Sequence, residues 1–274
     1  MDGQYEDSRK YLEEALELAR AYQPESSLEA RILYGLGDVH WRLGNFDQLR
    51  AYCEQSASLA QRLGDINTEL YALNRLGTLV YLENADQAGS YFQQVYDKAM
   101  MHGDRERSAH ALNNLGNVFM KKGDLASAKS YIEKALALME EMGLQQHSSA
   151  GWMLDSLIDI SLKLGDLSAA RGYTVKNLIF ARRIGLLPLL LYTFLQAARI
   201  ILTESELDEY GLALLGLVLN HPASDFDTRQ ALLAALVGLG VEISDPRVSP
   251  GIEKGKILDV DQTVNTLLIK FGES

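Results

Sequence analysis

Apolar residues recur along most of the chain at spacings of three, four and seven, the period of a helix buried along one side. Residues 108–144 show the unit. Ala111, Leu112, Leu115, Val118 and Phe119 form one stripe, and Leu125, Ala128, Tyr131, Ile132, Ala135 and Leu136 form a second. Between them Lys122-Gly123-Asp124 breaks the pattern, with a glycine to end one helix and an aspartate to start the next. Gly143 closes the unit. The result is a helix hairpin with one apolar side per helix, too thin to bury either side by itself.

The hairpin is copied up and down the sequence. The pair Leu115-Gly116 recurs as Leu36-Gly37 and Leu76-Gly77, and loosely as Leu157-Ile158 and Ala197-Ala198. The central break recurs at Gly3, Gly44, Glu83, Gly123, Gly165 and Ser205, in steps of 41, 39, 40, 42 and 40 residues. Such regularity predicts an all-α solenoid, with essentially no sheet. Five full hairpins are expected over 26–64, 65–103, 104–143, 144–185 and 186–221. A half hairpin precedes them, its turn at Gly3-Gln4-Tyr5 and its single helix carrying Tyr11, Leu12, Ala15 and Leu16. A start on half of a packing unit suggests a longer protein with more sequence on the N-terminal side. After residue 221 come a helix over 224–240, capped by Ser224 or Asp225, a loop with Pro246 and Pro250, and a closing helix over 259–271. The expected division is repeats over 1–221 and capping helices over 222–274.

The unit resembles the tetratricopeptide repeat, on Leu115-Gly116, Phe119, Ala128 and Tyr131. That resemblance implies a right-handed α-α superhelix whose inner helices line a concave groove. The period near 40 and the tail, LALLGLVLNHPAS followed by EKGKILDVDQTVNTLL, are similar to the sensor arrays of the bacterial maltose-regulon activator and related signal-transduction ATPases with numerous domains. The resemblance implies a switch domain ahead of the repeats and a protein, peptide or small inducer as groove ligand. It also implies which positions face inward: Arg31, Tyr34 and Asp38; Tyr71, Asn74 and Thr78; His110, Asn113 and Asn117; Trp152, Asp155 and Asp159; Tyr192, Leu195 and Arg199. Four of the five leading positions carry a ring. Tyr and Trp give large contact area with few rotors to freeze, and Asn offers both a donor and an acceptor to a peptide backbone. The same rings could instead pack between neighbouring inner helices, and both readings stay open. No unit carries the lysine and asparagine of the carboxylate clamp found in chaperone-binding members.

Other chemistry finds little support. The net charge of −11 argues against a nucleic-acid surface. Cys53 is the single cysteine, so no internal disulfide can form, and a small core residue is expected. His40, His102, His110, His147 and His221 have no second His or Cys at ligand spacing, so no metal is expected. Gly251-Ile252-Glu253-Lys254-Gly255-Lys256 is one residue short of a phosphate-binding loop, with Ile257 where Ser or Thr would hold magnesium. No cofactor and no catalytic set is expected. The longest apolar run, 184–195, contains Pro188 and is shorter than a bilayer span, and the start is polar, so a cytoplasmic protein without membrane contact is expected. The reading is a non-catalytic interaction or sensor array of a bacterial signalling ATPase or transcriptional regulator. A stand-alone peptide-binding adaptor and a structural self-association module are the alternatives.

Overall fold

The computed structural model describes residues 2–81, 83–143, 147–224 and 226–272. Leu144, at the expected start of the fourth hairpin, and Asp225, one of the two candidate caps, lie outside these residues. Fourteen α-helices and no strand occur among the described residues. In order they are α1 (Asp2–Tyr22), α2 (Ser27–Arg42), α3 (Phe46–Leu63), α4 (Ile66–Val80), α5 (Ala85–Met101), α6 (Arg105–Lys121) and α7 (Leu125–Glu141). There follow α8 (Ser148–Lys163), α9 (Leu167–Ile184), α10 (Leu187–Glu204), α11 (Glu209–Asn220), α12 (Phe226–Gly238), α13 (Ser249–Gly255) and α14 (Val260–Gly272).

The helix ends fall where the punctuation puts them. Gly64 and Gly185 close α3 and α9 in left-handed backbone, at φ 70° and 67°. Asp65, Asp104 and Asp166 each accept a hydrogen bond from the amide three residues on, which caps α4, α6 and α9. Two details differ from expectation. Gly3 is no turn: α1 runs back through it to Asp2. Ser224 does not free its hydroxyl for α12 but donates it to the Val218 carbonyl at the end of α11.

The chain forms two compact units, Met1–Leu138 and Met139–Ser274. The expected boundary at 221/222 therefore falls inside the second. In the first unit consecutive helices pack as antiparallel pairs, α2 on α3, α4 on α5, and each pair leans on the next. The Leu-Gly signature explains the close approach within a pair. A Cβ on Gly37 would sit 2.5 Å from the Cys53 sulfur, one on Gly77 2.7 Å from the Phe92 ring, and one on Gly116 2.4 Å from Ile132. Cys53 is wholly buried there, and burial pushes its thiol up to about 12. Gly37→Ala is expected to destabilise by about 1–3 kcal/mol through overpacking. Adding Cys53→Ala removes the obstructing sulfur and should restore most of the loss in urea denaturation. A double variant no better than Gly37→Ala would mean that the backbone, not the sulfur, sets the limit.

In the second unit α10 is the core helix. It is long and apolar enough to cross a bilayer, yet two-thirds of it is buried against its neighbours. Leu189, Leu191, Phe194, Ala197 and Ile200 are fully covered. The loop expected over 241–251 gives way at its end to the helix α13, with Pro250 in its first turn. α13 lies against α11 with backbone almost touching backbone: a Cβ on Gly216 would meet the Ile252 carbonyl at 2.0 Å, and one on Gly255 the Ala213 carbonyl at 2.2 Å. Gly251 and Gly255 thus serve helix packing. On α12, Leu232 and Leu236 are buried, whereas Leu233 is turned half out to solvent. α14 closes the unit against α9 through Val264, Leu267 and Phe271, with Arg182 donating to Asn265 at 2.8 Å.

Candidate functional site

In the first unit the inner helices α2, α4 and α6 are stitched by polar bonds at repeat spacing. Arg75 pairs with Asp38 and lies over the Trp41 ring. Arg107 Nη1 donates to Asn67 Oδ1 at 2.7 Å, and Asn114 Nδ2 donates to Asn74 Oδ1 at 2.9 Å. Tyr81 donates its hydroxyl to the Asn117 carbonyl at 3.1 Å. These bonds fix the inner helices in register and leave a row of side chains standing on their shared face.

Tyr71 is the centre of that face. Its ring stacks on Tyr34 with centroids 5.5 Å apart, and the Arg107 guanidinium sits 4.2 Å from its centroid on a cation–π contact. It remains 49% exposed, although it is a large ring clamped from two directions. On one side of it lies a cavity of about 550 Å³ with Arg31, Tyr34 and Asn67 in its wall. On the other lies one of about 330 Å³ with Asn74, Thr78, Arg107, His110 and Asn114. Tyr71 borders both. Tyr34 and Tyr71 thus pack between neighbouring inner helices, and Tyr71 keeps an open edge.

Not every expected residue joins this face. Asp38 is engaged by Arg75, and Asn113 and Asn117 line neither cavity. The Asn113 side-chain oxygen is buried without a partner among the described residues. The positions that the sequence reading passed over are Arg107, Asn67 and the residue just before the Leu of the Leu-Gly pair. That last position holds Arg75, Asn114 and, in the fifth hairpin, Gln196. Each reaches back to the preceding inner helix. A polar residue beside a buried leucine in successive repeats was the available signal.

The second unit has its own arrangement. Trp152 meets Tyr192 edge to face, centroids 5.8 Å apart at 77°. Leu195 and Asp155 are buried, not surface residues. Asp155 Oδ1 accepts from Gln196 Nε2 at 3.0 Å, and Gln196 Oε1 accepts from Arg199 Nη1 at 2.6 Å. Arg199 Nη1 also reaches Asp159 Oδ1 at 2.9 Å, while Lys163 pairs with Asp159 Oδ2 at 2.7 Å. Burial pushes the Asp155 carboxyl up to about 7, against the opposing effects of Gln196 and Arg199. Asp159 is held below its usual range by the bond from Lys163 and by Arg199, which together outweigh its burial. Among the described residues no group of three or more His, Cys, Asp or Glu could hold a metal ion.

Tetratricopeptide-repeat family models match residues 1–48, 28–101 and 109–141. The chain carries tetratricopeptide repeats. No curated protein matches it. Among solved structures, a signal-transduction ATPase with numerous domains from Pyrococcus horikoshii, with a tetratricopeptide repeat sensor, aligns at 16% identity. The match covers 93% of this chain and 40% of that one, at a TM-score of 0.65. A Rap protein complexed with Competence and Sporulation Factor aligns at 16% identity over 99% of this chain and 74% of that one, at a TM-score of 0.62. The Rap conjugation gene regulator of the plasmid pLS20, in complex with the Phr* peptide, aligns at 14% identity over 97% and 71%, at a TM-score of 0.58. At these identities the tetratricopeptide chain shares their fold: all-α, built from repeated helix hairpins.

Proposed function

We propose that the first unit of this tetratricopeptide-repeat protein binds an extended peptide segment along α2, α4 and α6. The observation that carries the reading is Tyr71, a clamped but half-exposed ring forming the common wall of two cavities. A ring held in place loses little freedom on binding, so its contact area converts efficiently into affinity. Asn67, Asn74 and Asn114 border the cavities with amide groups suited to a peptide backbone. Arg31 and Arg107 flank Tyr71 and favour an acidic residue in the bound segment. The protein then works as the sensor and interaction array of a larger bacterial signalling ATPase or transcriptional regulator. A peptide, or a small inducer, would favour one arrangement against a switch domain and shift its equilibrium by differential affinity. The likeness to the repeat sensor of the Pyrococcus protein and to Rap proteins in complex with Competence and Sporulation Factor or the Phr* peptide supports this reading.

The test is a fluorescence-anisotropy screen of labelled peptides rich in Asp and Glu, followed by Tyr71→Ala with Asn74→Ala. Affinity is expected to fall at least tenfold, with a melting temperature within a few degrees of the parent. A double variant that unfolds would reassign the rings to the core, and unchanged affinity would move the site off this face.

A further inference from the structure

We propose that the second unit holds a separate binding cleft for a small monocarboxylic acid with a compact apolar body. The cleft lies between α8, α10 and α12 and has a volume of about 450 Å³, inside the range of about 300–1,000 Å³ typical of small-molecule sites.

Its two walls differ in chemistry. One is built from Asp159, Lys163, Tyr192 and Arg199. Asp159 is paired at both oxygens: Arg199 donates to one at 2.9 Å and Lys163 to the other at 2.7 Å. Two cations against one carboxylate leave this wall with a surplus of one positive charge as long as Asp155, buried behind Gln196, keeps its proton. Both hydrogen bonds of Arg199 use Nη1, so its Nη2 and Nε donors have no partner among the described residues. A guanidinium edge with two parallel N–H groups matches a carboxylate geometrically, which a lysine cannot do. The arginine is also fixed in place, because Gln196 and Asp159 hold Nη1 and Asp155 holds Gln196 at 3.0 Å. A pre-positioned guanidinium loses little entropy on capturing an anion.

The opposite wall is α12, which presents Ala231, Ala235 and Gly238 to the cleft. Leu232 and Leu236 on the same helix are buried and anchor it. The short side chains leave room for an apolar ligand body, and the Tyr192 ring, braced edge-on by Trp152, offers it a flat surface. The ligand is accordingly one carboxylate on a ring or branched chain, not a polyanion.

The experiment uses the whole chain and 4-fluorophenylacetate, followed by fluorine NMR and titration calorimetry. The acid is expected to bind, and 4-fluorophenylacetamide, which keeps the shape and loses the charge, should bind at least tenfold more weakly. Arg199→Gln should weaken the acid by a similar factor. Ala235→Leu fills the cleft without touching the polar network, and should abolish binding even if Arg199→Gln proves unstable. Tyr71→Ala should leave it unchanged, since the two sites share no residue and either can fail alone. No binding of the acid, equal binding of the amide, or full binding by Ala235→Leu would each overturn the proposal.

Discussion

Gly255→Ala is expected to lower the stability of this protein by about 3 kcal/mol or more, at or above the top of the usual overpacking range. Gly216→Ala should do the same. At both sites the new methyl would lie 2.0–2.2 Å from a main-chain carbonyl of the facing helix. A flexible side chain could rotate away from such a contact. A carbonyl committed to its own helix cannot, so α11 and α13 must separate, and the apolar contact between them is lost. Gly172→Ala is the control. It lies within α9 with nothing inside 4 Å of the added atom, so it should stabilise by about 0.5–1 kcal/mol through helix propensity alone. Urea denaturation followed by circular dichroism separates these outcomes. A loss under 1 kcal/mol for Gly255→Ala would mean that α13 can shift freely, and would remove the reason given for its glycines.

Asp155→Asn should instead make the protein more stable at pH 8, by about 2–4 kcal/mol. The folded protein holds this carboxyl at about 7, against an ordinary value of 3.8. It therefore binds the proton more tightly than the unfolded chain does. Its contribution is complete below about pH 4 and is lost as pH rises to about 7, at roughly 1.4 kcal/mol per pH unit. Asp159 and Lys163 on α8 and Arg199 on α10 are the charged neighbours of the group, and none of them bonds it directly. Asparagine keeps the acceptor for Gln196 and carries no charge at any pH. The gain should therefore shrink towards zero as the comparison moves below pH 4. A variant whose advantage is the same at pH 4 and pH 8 would show that the buried aspartate does not titrate in that window.

Hairpins were readable from the sequence because their punctuation is local. A glycine in left-handed backbone and an aspartate cap act within a few residues, and these marks located the turns at Gly44, Gly123 and Gly165. The helix α13 was not readable. Seven residues holding two glycines and a proline carry no helical period, and only the groove along α11 explains them. The candidate face was legible in part. Counting from the Leu-Gly pair picked out Tyr71, Asn74, Thr78 and His110, which border the two cavities, because exposure on an inner helix follows its period. Counting could not show that Asp155 turns inward, since that depends on Gln196 arriving from the next inner helix, 41 residues on. Nor could it find Arg107, whose place is set by the Tyr71 ring beneath it.

The glycines of the first unit have one more consequence. Gly37, Gly77 and Gly116 occupy the same place in successive hairpins, yet the groups that fill the space above them are a thiol, a phenyl ring and a branched aliphatic chain. Each hairpin is thus keyed to itself. Shuffling, duplication or transplantation of repeats in this protein should succeed when both helices of a hairpin travel as one cassette, and should fail when the cut falls between them.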